Sequence, residues 1–129
     1  MAFLKFRPLT SRFNFIATID EKDINSNLLQ YLLDNETIFL AFKSGRDVGI
    51  FTDKRILLLD IKGIRGLRKN IFSLKYDSIS SCELNISFFD SLINLTTDSG
   101  YKIALNFLKP ILLDDMVKVY QLINSQLLS

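Results

Sequence analysis

From Thr37 to Phe107 the chain is cut into short apolar runs separated by turn-forming residues, and its hydrophobic period is near two. TIFLAFK, DVGIF, ILLLDI, IFSLKY, ISSCELNI, LINLTT and KIALNF read as seven strands. Lys43-Ser44-Gly45-Arg46 and Thr52-Asp53-Lys54-Arg55 have turn composition, and Asp98-Ser99-Gly100 is a strong hairpin signal. Lys62 to Asn70 reads as a long loop holding Gly63 and Gly66. Two segments switch to helical spacing. Asp23 followed by INSNLLQYLL predicts an N-cap and a short helix with Ile24, Leu28, Tyr31 and Leu32 on one side, ending near Asp34-Asn35. After Pro110, LLDDMVKVYQLINSQLL places Leu113, Met116, Val117, Tyr120, Ile123 and Leu127 on one stripe. Asp114 and Asp115 fall in its first turn, where negative charge suits the helix dipole. Short strands at this spacing predict a sandwich or small barrel, mainly β with helices.

Composition then narrows the chemistry. At 129 residues, 48% of them hydrophobic, the chain fits one domain with a proper core. The absence of histidine removes His-based acid–base catalysis, Ser-His-Asp triads and His-ligated metals. The single Cys82 makes neither a disulfide nor a thiolate cluster, and its strand-like setting fits a buried small hydrophobe. No cofactor and no metal are expected. A net charge of +2 is too small to imply a nucleic-acid partner. No apolar run approaches the ~18 residues of a membrane span, and the N-terminus has no signal-like core, so the expected location is cytoplasmic with at most peripheral membrane contact.

The N-terminus is unusual all the same. Phe3, Phe6, Phe13 and Phe15 lie among Lys5, Arg7 and Arg12, ahead of the first acid, Asp20. Residues 1–22 read as a basic-aromatic arm, packed within or between subunits, and residues 23–129 as a single domain.

Element order and one stretch together carry a family resemblance. RDVGIFTDKRILLLDIKGIRG, continuing to SLKYDSI, resembles the bacterial pleckstrin-homology (PH) domain family. Members of that family carry an Arg-Asp pair, a Phe-Thr-x-x-Arg turn, a following Asp, a Gly-x-x-Gly loop and a Tyr-x-x-Ile close. The matching positions are Arg46, Asp47, Phe51, Thr52, Arg55, Asp60, Gly63, Gly66, Tyr76 and Ile79. The resemblance covers roughly residues 28–80 and fades beyond, where LNISFFD keeps only Phe89-Asp90 of the family's later pattern. It implies a PH-like fold: a seven-stranded antiparallel open β-barrel capped by the C-terminal helix, with a short helix before the first strand. It also implies homo-oligomerisation, since members look like closed rings of identical subunits.

None of the motif residues stands beside a recognisable nucleophile or base, so the motif reads as architecture or interface. Thr52 and Asp53 suit side-chain-to-backbone turn bonds. The best candidate for anion or partner binding is the basic region of Lys62, Arg65, Arg68, Lys69 and Lys75, with its two glycines. Each such residue contributes roughly 1 kcal/mol at an anionic surface, about 5 kcal/mol in all, which corresponds to a Kd on the order of 0.1–1 mM. Several copies in a ring would bind through avidity. The expected function is therefore a non-enzymatic, self-associating scaffold or binding module. The alternative is a monomeric module that binds an anionic headgroup or a protein segment through the 62–75 region.

Overall fold

The computed structural model describes residues 10–24, 26–45, 47–62, 68–109, 111 and 113–128. Among the described residues nine strands form two sheets. They are β1 (Thr10–Phe15), β2 (Ala17–Thr18), β3 (Ile38–Lys43), β4 (Asp47–Thr52), β5 (Arg55–Lys62), β6 (Arg68–Lys75), β7 (Ile79–Ile86), β8 (Asp90–Thr97) and β9 (Lys102–Leu108). Helix α1 (Ser26–Leu29) precedes β3, and helix α2 (Leu113–Leu127) ends the chain. One sheet has the order β1-β9-β8-β7 and the other β2-β3-β4-β5-β6. All pairings are antiparallel except β1 with β9, which is parallel.

The seven strands expected from the apolar runs are all present, and the count rises to nine through β1 and β2. Both additions lie in the segment read as an arm. The signal in TSRFNF is an alternation: Phe13 and Phe15 point into the core, opposite Leu105 and Phe107. At Ile16 the chain leaves the first sheet for the second, where Ile16 N–H donates to Lys43 C=O at 2.8 Å. A single bent segment thus forms an edge of both sheets. At the opposite corner the short turn Tyr76–Ser78 carries the chain from β6 to β7, and no ladder joins those two strands. The expected barrel is therefore not closed: two sheets face each other and keep separate edges.

The main core lies between the sheets. Phe15, Phe42, Phe51 and Phe107 form its centre, with Phe15–Phe107 centroids at 5.2 Å and Phe42–Phe107 at 5.0 Å. Phe15 reaches this position only because residue 49 is glycine. A Cβ there would stand 2.7 Å from the Phe15 ring. A second apolar layer covers the outer face of the five-stranded sheet, where Ile24, Leu28, Tyr31 and Leu32 pack on Val48, Ile50, Leu57 and Leu59. The run ILLL is continuous, not alternating, because both faces of β5 are covered.

The helix expected from Asp23 to about Leu33 is shorter than its apolar spacing suggests. A 3-10 turn at Glu21–Asp23 leads to the four-residue α1, and the chain then tightens into i→i−3 bonds, Tyr31 N–H to Leu28 C=O and Leu32 N–H to Leu29 C=O, both 3.1 Å. In α2 the buried face keeps Met116 and Ile123 of the expected stripe and adds Val119, while Leu113 is 49% exposed. Val117, Tyr120 and Leu127 flank that face, half-buried. The hairpin at Asp98-Ser99-Gly100 forms as expected, with Gly100 at φ 87° and its N–H on Thr97 C=O at 2.9 Å. Cys82 is half-buried against the core, and burial pushes its thiol up to about 11, as befits a packing residue.

Candidate functional site

The motif residues Thr52, Arg55 and Tyr76 come together around a residue that the sequence does not flag, Glu36. The turn between β4 and β5 is closed by Thr52, whose Oγ1 accepts the N–H groups of Lys54 at 3.1 Å and Arg55 at 3.0 Å. The same hydroxyl donates to Glu36 Oε2 at 2.6 Å. Arg55 grips that carboxylate with two prongs, Nε to Oε2 and Nη2 to Oε1, each 3.0 Å. Its remaining donors reach Tyr31 C=O at 2.8 Å and Ser73 Oγ at 3.0 Å. Leu33 N–H adds a fourth bond to the carboxylate, at 3.0 Å. From below, Tyr76 O–H donates to Thr52 C=O at 2.6 Å. Asp53 ties the turn to the chain just ahead of β3, its Oδ1 accepting Thr37 N–H at 2.9 Å.

This is a buried ion pair in which both carboxylate oxygens and four of the five guanidinium N–H groups carry hydrogen bonds. The Glu36 side chain has no exposed surface and that of Arg55 is 19% exposed. Burial alone would raise the Glu36 carboxyl. The hydrogen bonds from Arg55, Thr52 and Leu33, with the guanidinium charge, outweigh it and hold the group at about 2, against an ordinary 4.5. Burial pushes the Tyr76 phenol up, and the carboxylates of Asp53 and Glu36 push in the same direction. The cluster therefore contains a fixed anion, a fixed cation and a neutral phenol, all engaged in clamping β5, β6 and the chain ahead of β3 onto one turn.

Asp47, the next motif residue, holds the bent edge. Its Oδ2 accepts Asn14 N–H at 2.8 Å, tying β1 to β4. Asp60 stands opposite Asp47 in the ladder. Arg46, Gly63 and Gly66 lie outside the described residues, as does Arg65.

The basic candidates are divided by the fold. β5 runs to Lys62 and β6 resumes at Arg68, so the strands extend into the stretch expected to be loop. The register places Lys62 opposite Arg68 and Ile61 opposite Lys69, at one end of the hairpin. Lys75 is opposite Arg55 at the other end, about 23 Å further along β6 at ~3.3 Å per residue. It lies 3.9 Å from Asp77 in an exposed pair. Lys75 is thus separate from the group at the hairpin end.

A different surface carries exposed aromatics. In the β7–β8 turn, Phe88 and Phe89 are 78% and 72% exposed. Their rings meet edge-on with centroids 4.9 Å apart, and Lys109 Nζ lies 4.9 Å from the Phe88 centroid. Ile86 and Leu113, also exposed, border the same shallow cleft. The signal in the sequence is two adjacent Phe at a point where a hairpin turn calls for polar residues. Glu36 has no such signal, since its partners Thr52 and Arg55 are 16 and 19 positions away. Among the described residues no helix is long and apolar enough to cross a membrane.

Comparison with known proteins agrees with this architecture. The uncharacterized protein YjqA of Bacillus subtilis is 39% identical over 64 residues, and the chain spans about half the length of that curated relative, 51%. Among solved structures, a protein with a pleckstrin-homology domain from Shewanella loihica superposes with a TM-score of 0.71 at 23% identity, covering 86% of this chain and 96% of that one. A pleckstrin homology domain from Shewanella amazonensis gives 0.62 at 25% identity, covering 81% and 85%. A PH domain containing protein from Exiguobacterium sibiricum gives 0.61 at 20% identity, covering 85% and 58%. The family model of the bacterial PH domain matches residues 9–125, and the chain belongs to that family.

Proposed function

We propose that this PH-like domain is a non-enzymatic binding module that associates with copies of itself. The observation that supports this reading is the free edge of the five-stranded sheet. Among the described residues β6 pairs with β5 alone, and it carries two partly exposed apolar side chains on opposite faces, Ile71 and Phe72, the latter stacked on Tyr101. An edge strand of that length with apolar side chains favours pairing with another chain, and an identical neighbour is one way to cover it. Of the motif's ionisable groups, Arg55 and Tyr76 are engaged in the turn clamp and Asp47 binds the β1 backbone, which supports reading them as architecture. Light scattering on the purified protein tests the proposal. The expected mass is a multiple of 14.8 kDa greater than two. A monomer at micromolar concentration overturns it.

A second reading rests on the register of the β5–β6 hairpin. Lys62, Arg68 and Lys69 hold neighbouring register positions at its end, a placement suited to an anionic headgroup or an acidic protein segment. On this reading a monomer binds anionic vesicles in a salt-sensitive way, and changing Arg65, Arg68 and Lys69 to Ala abolishes the binding. Absence of binding at low salt removes it.

A further inference from the structure

We infer that the β7–β8 turn is a membrane-contacting tip, in which Phe88 and Phe89 enter the headgroup–acyl boundary of a lipid bilayer while Lys109 meets its phosphates. The turn is built to hold its aromatic residues outward. Ser87 N–H donates to Asp90 C=O at 2.9 Å, and Ser87 Oγ donates to the Asp90 carboxylate at 2.5 Å. The two polar residues of the turn therefore close on each other, and the two between them project with no polar function. They are the most exposed aromatic side chains among the described residues. Ile86 and Leu113 extend the apolar surface on either side, drawn from the end of β7 and the start of α2.

The occupant follows from shape and charge. Two rings this exposed at a hairpin tip, beside an open cleft bordered by Ile86 and Leu113, fit a medium that moulds around them, whereas a folded protein would have to offer a matching surface. An ammonium held over one of those rings is the charge complement of lipid phosphate, and aromatic residues beside a lysine are the composition found at the membrane interface. With a single lysine, the electrostatic share is small, so attachment through the tip is to persist when salt is raised. This distinguishes it from attachment through the basic hairpin, which is salt-sensitive. It is also independent of self-association, whose test is the solution mass.

The chain has no tryptophan, so Phe88→Trp places a unique fluorophore at the tip. The full chain carrying it is titrated with vesicles of phosphatidylcholine and phosphatidylglycerol. A blue shift of the emission, quenching by brominated acyl chains, and retention of both at high salt are the expected results. Phe88→Ser/Phe89→Ser, with an unchanged circular dichroism spectrum, is expected to lower vesicle partitioning at least ~10-fold. Emission that stays at the water-exposed wavelength under saturating lipid overturns the inference. So does vesicle binding that the double variant leaves intact. Emission already blue-shifted without lipid, rising with protein concentration and mass, also overturns it and assigns the tip to a second copy of the chain.

Discussion

The turn between β4 and β5 and the turn between β7 and β8 are built on opposite plans. In the first, the charged and hydroxyl side chains of Glu36, Thr52 and Arg55 are drawn inward and bond to one another. In the second, Phe88 and Phe89 stand in water while the polar residues at the foot of the turn close on each other. The pattern usual for a globular protein, apolar inside and polar outside, is reversed at both. A residue type that is chemically conspicuous in the sequence therefore marks a structural joint in one turn, and a pair of phenylalanines of the kind that fills a core is left exposed in the other.

The comparison breaks most severely when one member of the buried pair is removed. Arg55→Met leaves the Glu36 carboxylate buried without its cation and is expected to cost about 3–5 kcal/mol in urea denaturation. Adding Glu36→Gln to that variant removes the stranded charge and is expected to recover part of the loss. A full additive penalty would show that the pair is not coupled.

Acid sharpens the same contrast without mutation. The Glu36 carboxyl is held at about 2 in the folded protein, below its ordinary 4.5. Its contribution is therefore complete above pH ~4.5 and is lost as pH falls toward 2, by up to about 3 kcal/mol. Stability measured across that range should fall steeply for the native protein and less steeply for the Arg55→Met/Glu36→Gln variant. Equal slopes would assign acid sensitivity to other carboxylates.

Gly49→Ala is next in size. Its new methyl would press on the Phe15 ring, and overpacking at a core position costs about 1–3 kcal/mol. An unchanged thermal midpoint would mean that β1 adjusts without loss. Tyr76→Phe removes the hydrogen bond to Thr52 C=O and keeps the ring, for an expected cost of about 1 kcal/mol. The smallest effect is the informative one: Phe88→Ser/Phe89→Ser should alter stability by less than about 0.5 kcal/mol, since both rings are exposed. A larger loss would place them among the packing residues and dissolve the contrast.

Legibility in the sequence followed how local each signal is. The strands from β3 to β9 were readable because alternation and turn residues are written into consecutive positions, and α2 because its spacing persists through Leu127. Thr10–Phe15 also alternates, but the pairing that makes it a strand is with β9, at the far end of the sequence. The span after Asp23 has real helical spacing that the chain spends on covering a sheet face. Barrel closure depends on whether β6 meets β7, which no single segment encodes. In the clamp, Thr52 and Arg55 announced themselves as a turn, while Glu36 gains its role only from folding.

The parallel pairing of β1 with β9 has a consequence for synthesis. Asn14 and Asn106, neighbours across that ladder, are 92 positions apart. During translation the Thr10–Phe15 segment emerges long before its partner exists, and Phe13 and Phe15 must wait for the penultimate element to leave the ribosome. The four-stranded sheet is thus completed late, and a nascent chain stalled ahead of residue 102 would hold two aromatic side chains without their final seat.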